Sequence, residues 1–144
     1  MRGPDEIVVV VRRDGCFLVL RRVPERLGYW NLVAGGVEPG ESAADAASRE
    51  LLEETGLDAD LRELPVELSY SLLEDPPEVR ARYASGIETI TVHPFVAEAP
   101  SGWEPMLDGE HDDYRWCREE EAIRLLPYEA PREALRVAAR GANR

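Results

Sequence analysis

Between residues 35 and 57 the chain reads GGVEPGESAADAASRELLEETGL, and no other stretch constrains the fold as tightly. Ser42 is a natural N-cap, residues 43–55 are rich in alanine, leucine and glutamate with no interior glycine or proline, and Gly56 supplies the C′ position. This pattern predicts a helix over 43–55. At about 3.6 residues per turn, Glu50, Glu53 and Glu54 fall at i, i+3 and i+4 and gather three carboxylates on one face. Ala44, Ala47, Leu51 and Leu52 form the expected apolar face against a sheet. Three like charges so close repel unless something positive sits among them. Arg49 pairs with Glu53 at i+4 but cannot neutralise the cluster alone. All-oxygen ligands suit a hard cation such as Mg²⁺, with Mn²⁺ as a substitute.

The loop before the helix complements it. Glycines at 35, 36 and 40 let backbone approach a ligand, Gly35 is placed to offer its carbonyl to a metal, and Glu41 to orient neighbouring groups or ligate through water. Taken alone, the glycines equally describe a tight strand-to-helix turn, and the glutamates a solvated helix face.

Around this segment the chain alternates strand and helix patterns. Residues 7–11 and 17–20 are apolar runs joined through Asp14-Gly15, a strong hairpin pair. Residues 29–34 form a strand feeding the glycines, and 66–73 and 89–96 are strands flanking a surface loop at 74–86 that contains Pro76-Pro77. A short strand at 113–117 precedes helices at 118–126 and 131–139. Strands without a strict βαβ rhythm, together with a central helix, predict a mixed sheet packed by helices, an α/β (α+β) fold. With 144 residues, 44% hydrophobic and 32% charged, one domain over 1–144 with a real core is expected.

Composition narrows the partners. A formal charge of -12, from 29 acidic and 17 basic residues, disfavours a nucleic acid polymer, because backbone affinity comes from lysine and arginine. Cys16 and Cys117 have no metal-like spacing and are read as packing residues in a reducing compartment. The run at 7–11 is too short and too acidic in its flank for a signal peptide, and no stretch spans a membrane, so a cytoplasmic location is expected.

The spacing as a whole, G-x5-E-x7-R-E-U-x-E-E-x-G-U with U aliphatic, matches the Nudix box at every defined position, and the chain resembles the Nudix hydrolase superfamily. That resemblance implies a Nudix fold, with a mixed sheet sandwiched between helices, and hydrolysis of a diphosphate linkage in a nucleotide-like small molecule. It implies Glu50, Glu53 and Glu54 as Mg²⁺ ligands together with the Gly35 carbonyl, Glu41 as a helper and Arg49 as the residue that orients the cluster. By the same resemblance Glu53, Glu54 and Arg49 are expected to carry catalytic roles.

A second likeness lies at Glu110-His111-Asp112-Asp113-Tyr114-Arg115-Trp116. It resembles the E-H-x-x-Y-x-W stretch of dihydroneopterin triphosphate pyrophosphatases and diadenosine tetraphosphate hydrolases, and marks Glu110 as general base or additional metal ligand. His111 is either a proton shuttle or a turn residue with a structural hydrogen bond. Arg82-Tyr83-Ala84-Ser85-Gly86, and Arg21-Arg22 followed by Tyr29-Trp30, are similar to the dihydroneopterin triphosphate enzymes. By that likeness Arg21, Arg22, Arg80 and Arg82 hold terminal phosphates and Trp30 or Tyr83 stacks on a pterin or purine. Core packing for Trp30 and charge balance for the arginines stay open. The implied partner is a nucleotide or pterin polyphosphate, bound by a monomer or homodimer. Dihydroneopterin triphosphate is the first substrate choice, a dinucleoside polyphosphate the second, and a non-catalytic nucleotide-sensing module the rival outside enzymes.

Overall fold

In the computed structural model, which describes residues 2–141, the chain forms eight strands and four helices. The outermost positions of the expected 1–144 domain lie outside the described residues. Strand β1 (Asp5–Arg13) turns through Asp14 (φ 52°) and Gly15 (φ 79°) into β2 (Cys16–Arg22). Two consecutive left-handed residues are what a tight Asp-Gly hairpin turn requires. Along one edge β1 runs parallel to β7 (Thr89–Glu98), from Asp5↔Thr91 to Arg12↔Glu98. Its other edge is shared. Near its C-terminal end β1 pairs with β2, and near its N-terminal end with β4 (Val33–Gly36), both antiparallel.

The single strand expected over 29–34 is broken in two. Trp30–Asn31, β3, pairs with β2, whereas Val33–Gly36 pairs with β1, so the chain changes neighbour at Leu32. The Asn31 side chain accepts from the Leu32 N–H at 2.9 Å and satisfies the backbone at that crossing. Strands β5 (Leu61–Glu63) and β6 (Leu68–Ser71) both pair with the edge of β7 away from β1, and β8 (His111–Cys117) pairs with the outer edge of β2. β5 escaped the sequence reading because three residues carry no periodicity. The strand expected over 66–73 ends at Ser71 in a 3-10 turn, Leu72–Glu74, and the polar segment expected as loop holds a short helix, α2 (Pro77–Arg80), with prolines at its start where a missing N–H is harmless.

Helix α1 (Ala43–Thr55) covers one face of the sheet, and α3 (Glu119–Leu125) and α4 (Glu129–Arg140) the other. This is why residues 7–11 are an unbroken apolar run rather than an alternating one: every one of them is buried, odd positions against α1 and even positions against α3 and α4. Each such side chain contributes roughly 1.5–3 kcal/mol of burial. Pro131 sits in the first turn of α4, which starts two residues earlier than expected.

One expectation about α1 needs correcting. Its buried positions are Ala46, Ala47, Leu51, Glu54 and Thr55, while Ala44 and Leu52 face solvent. The helix is rotated so that the stripe on the sheet includes Glu54. Among the described residues no helix is long and apolar enough to cross a membrane.

Candidate active site

The site is built where β4 delivers its glycines to the start of α1. Ser42 Oγ accepts from the Asp45 N–H at 3.1 Å, and Gly56 closes the helix at φ 78°, donating its N–H to the Leu52 carbonyl at 2.9 Å. Both caps fix the ends of the helix that carries the glutamates.

The rotation of α1 on the sheet, with Ala46, Ala47 and Leu51 in the core beneath it, separates the three carboxylates. Glu54 is 3% exposed, Glu50 is largely buried, and Glu53 points outward with its side chain 57% exposed. Glu50 lies directly on Gly35. A Cβ built at Gly35 would stand 2.6 Å from Glu50 Oε1 and 2.8 Å from its Cγ, so no larger residue fits with the carboxylate where it is. The glycine therefore serves a close approach, not a turn, since only Gly40 of the loop has a positive φ, at 80°.

Arg49 binds the loop and the helix together. Its Nε and Nη2 donate to the two oxygens of Glu41, each at 2.9 Å, Nη2 donates to the Gly36 carbonyl at 3.0 Å, and Nη1 donates to Glu50 Oε1 at 2.7 Å. Glu53 lies 3.6 Å away, as the i+4 spacing implied. The bidentate contact holds Glu41 down to about 2, and Glu41 in return keeps the guanidinium protonated. Glu41 also accepts the Glu38 N–H at 3.0 Å, which closes the glycine loop.

Glu54 sits in the opposite electrostatic environment. Burial first, then the neighbouring Glu50 carboxyl and the charge of Asp108, raise its pKa well above the ordinary value, with only a hydrogen bond from the Ala34 backbone opposing them. The nearest basic group is His111, with Nε2 3.7 Å from Glu54 Oε1. His111 is buried, and its Nδ1 lies 2.8 Å from Asp108 Oδ1. Asp108 was not singled out from the sequence. It lies on the connection before β8, fifty-odd positions from α1, and only an Asp-Gly pair hinted at a turn there.

Of the other sequence candidates, Glu110 is next to His111 but its carboxylate pairs with Arg26 at 2.8 Å, on the loop after β2. Arg21 pairs with Asp112 at 2.8 Å, and Arg21 and Arg115 stand 5.9 and 4.9 Å from the Trp30 ring. Trp30 packs against the core layer of α3 and α4, across the sheet from α1. Arg22 donates to Tyr29 Oη at 3.1 Å, and Tyr29 meets Tyr128 edge-on at 5.3 Å. Arg80 and Arg82 are exposed. Tyr83 departs from the image of an open stacking ring: it is 6% exposed, and its hydroxyl donates to Glu6 Oε2 at 2.6 Å beside Tyr70. Burial pushes its phenol up to about 12. Cys117 is buried and likewise pushed up to about 12, consistent with packing.

The fit to a cation can be judged from these donors. Among the described residues no three His, Cys, Asp or Glu side chains already form a metal cage. Two carboxyl groups do meet beside a glycine backbone: the largely buried Glu50, paired with Arg49, and the buried Glu54. Mg²⁺ is commonly held by one or two carboxylates, with water and substrate phosphate filling its other positions, so the donor set suits it.

Comparison with known proteins identifies the family. The NUDIX domain family model matches residues 1–139. The octanoyltransferase of Myxococcus xanthus is 34% identical over 138 residues, covering 95% of this chain, and the chain spans only 33% of that protein's length. The RNA pyrophosphohydrolase of Erythrobacter litoralis is 30% identical over 128 residues, with 83% of this chain and 77% of that protein covered. Among solved structures, the E. coli dihydroneopterin triphosphate pyrophosphohydrolase superposes with a TM-score of 0.83 at 27% identity, covering 98% of both chains. With its glycine cradle, capped glutamate helix and family match over nearly the whole length, the chain belongs to the NUDIX domain family and is a Nudix hydrolase.

Proposed function

We propose that this hydrolase is a Mg²⁺-dependent pyrophosphohydrolase of small triphosphates, with dihydroneopterin triphosphate as the first substrate choice. The observation that carries the reading is the meeting of Glu50, seated on Gly35, with the buried Glu54, two carboxyl groups whose jointly ionised form is disfavoured by burial and mutual repulsion and would be favoured by a cation between them. Glu50 and Glu54 would hold Mg²⁺, with the Gly35 carbonyl, Glu53 and Glu110 as further candidate donors. When bound, the ion supplies positive charge to phosphate oxygens and acidifies water.

The protein's own residues supply position. Arg49 keeps Glu50 and Glu41 from relaxing away from the glycine loop, and His111, oriented by Asp108, faces Glu54 from the β8 side. Glu110 is the candidate base, and its release from Arg26 would free it to meet water. Arg21, Arg22 and Arg82 are the candidate phosphate contacts and Trp30 the candidate stacking surface, while the buried Tyr83, bonded to Glu6, serves packing. The choice of pterin is supported by the likeness to the E. coli enzyme over 98% of both chains.

The test is hydrolysis of dihydroneopterin triphosphate, the common nucleoside triphosphates and diadenosine tetraphosphate, with Mg²⁺ or Mn²⁺, by the wild type and Glu54→Gln, read as pyrophosphate released from the triphosphates and as nucleotides formed from the dinucleotide. Highest kcat/KM on the pterin, abolished in the variant, is the expected result. Preference for the dinucleotide would replace the substrate choice, and an undiminished rate in Glu54→Gln would remove the metal assignment.

A further inference from the structure

Tyr114 and Trp116 stand two residues apart on β8, so both project to the α1 side of the sheet. Their polar atoms end on one carboxylate. Glu104 Oε1 accepts from Trp116 Nε1 at 2.9 Å and from Tyr114 Oη at 3.2 Å, while Oε2 accepts from Arg13 Nη2 at 2.9 Å. The Arg13 guanidinium lies 4.1 Å over the Trp116 ring and also donates to the Trp103 carbonyl. Trp103 meets Trp116 edge-on at 6.2 Å. Side chains from β1 and β8 thus converge on Trp103 and Glu104, in the middle of the connection between β7 and β8. Arg13 first, then Trp116 and Tyr114, hold the Glu104 carboxyl below its ordinary range.

The residues just beyond Glu104 give the grip a purpose. The Met106 N–H donates to the Thr55 carbonyl at 2.8 Å, so the connection docks on the last turn of α1 directly after Glu104. Asp108 then meets His111 at 2.8 Å, and His111 faces Glu54. A connection of this length containing Pro100, Gly102, Pro105 and Gly109 has no regular structure to fix its course, and its ordering must come from such pins.

We propose that Glu104 is a positioning residue: gripped by Arg13, Tyr114 and Trp116, it sets the course of residues 99–110 so that Met106 docks on α1 and Asp108 holds His111 against Glu54. The Tyr-x-Trp pair of β8 is then a clamp on the active-site connection and not a ligand contact. The consequence for catalysis rests on the reading of Glu54 as an active-site group, but the clamp itself is measurable without turnover.

The test uses Glu104→Gln and the milder Tyr114→Phe, with Glu98→Gln as the control that removes a carboxylate paired to Arg12 at the end of β7. In metal-free, substrate-free protein, amide exchange at Met106 and the ¹⁵N signals of the His111 imidazole are read. With Mg²⁺ and dihydroneopterin triphosphate, kcat and KM are read. In Glu104→Gln, Met106 exchange should quicken about tenfold, the imidazole signals should shift, and kcat should fall about tenfold with KM nearly unchanged, the scale of one charge-assisted hydrogen bond. Tyr114→Phe should move the same readouts less, and Glu98→Gln none of them. A folded Glu104→Gln with wild-type Met106 exchange and imidazole signals overturns the proposal. If that variant does not fold, unchanged readouts in Tyr114→Phe overturn it instead. If exchange and imidazole signals shift while the wild type cleaves no diphosphate, the clamp stands and the functional reading falls.

Discussion

Replacing Gly35 by alanine separates activity from stability in a way that rests on one contact. The new Cβ would stand 2.8 Å from Glu50 Cγ, whereas carbon atoms rest at about 3.5–4.0 Å, so the Glu50 side chain must retreat by about 1 Å. It is not free to do so alone, because Arg49 Nη1 holds its carboxylate at 2.7 Å and the same guanidinium grips Glu41 and the Gly36 carbonyl. A misplacement of about 1 Å in catalytic machinery costs on the order of 100-fold, or about 2.7 kcal/mol in transition-state stabilisation. Stability should barely respond. Gly35 does not have a positive φ, so alanine gains about 0.4–1 kcal/mol by restricting the unfolded chain, against about 0.5–1.5 kcal/mol for an off-rotamer Glu50. Steady-state kcat/KM for pyrophosphate release, a calorimetric Mg²⁺ titration and a thermal melt measure the three quantities. The expected result is an enzyme about 100-fold slower, with weakened Mg²⁺ binding and a Tm within about 4 °C of wild type. Gly36→Ala is the companion variant, since its Cβ meets only the end of the Arg2 side chain, at 3.1 Å, and should retain activity within about threefold. A folded Gly35→Ala that also stays within about threefold would refute the cradle argument.

Other perturbations probe the neighbouring contacts. Arg49→Lys keeps the charge but loses the fork that spans Glu41, Glu50 and Gly36, and should lower Mg²⁺ affinity and kcat/KM about 10- to 100-fold; equal affinity by calorimetry would show that a point charge suffices. Because the folded pKa of Glu54 lies above 4.5, the native state keeps a proton that the unfolded chain has already lost, so in EDTA stability should fall as pH rises from 4.5 through that raised value. Glu54→Gln should lack this decline, and parallel urea-midpoint curves for the two proteins would contradict the buried-carboxylate account. Tyr83→Phe removes a donor from the mostly buried Glu6 and should cost about 1–2 kcal/mol in urea unfolding while leaving KM unchanged. A raised KM without loss of stability would return the ring to the substrate.

The residues whose behaviour depends on near neighbours were legible in the amino-acid sequence. Asp14-Gly15 encodes its own hairpin, Ser42 and Gly56 encode the ends of α1, and the spacing from Gly35 to Glu54 encodes a glutamate helix preceded by a loop that backbone must approach closely. Periodicity also located most of the sheet. It failed at β5, too short for a pattern, and at Leu32, where a continuous apolar stretch changes partner strand.

What the tertiary structure decided is rotation and long-range pairing. Sequence spacing fixes the angles between Glu50, Glu53 and Glu54 around α1, but the rotation of the whole helix against the sheet is set by how Ala46, Ala47 and Leu51 pack. That rotation buries Glu54, cradles Glu50 on Gly35 and leaves Glu53 in solvent. Asp108 on His111, Glu104 under Tyr114 and Trp116, and Tyr83 on Glu6 join segments that no local rule connects, and Tyr83 lies 77 positions from its acceptor. Helix phase and turn chemistry are local free energies that a short window already contains. Which carboxylate is desolvated, and what holds the connection beside it, are properties of packing, which exists only once the sheet has brought β1, β4 and β8 together.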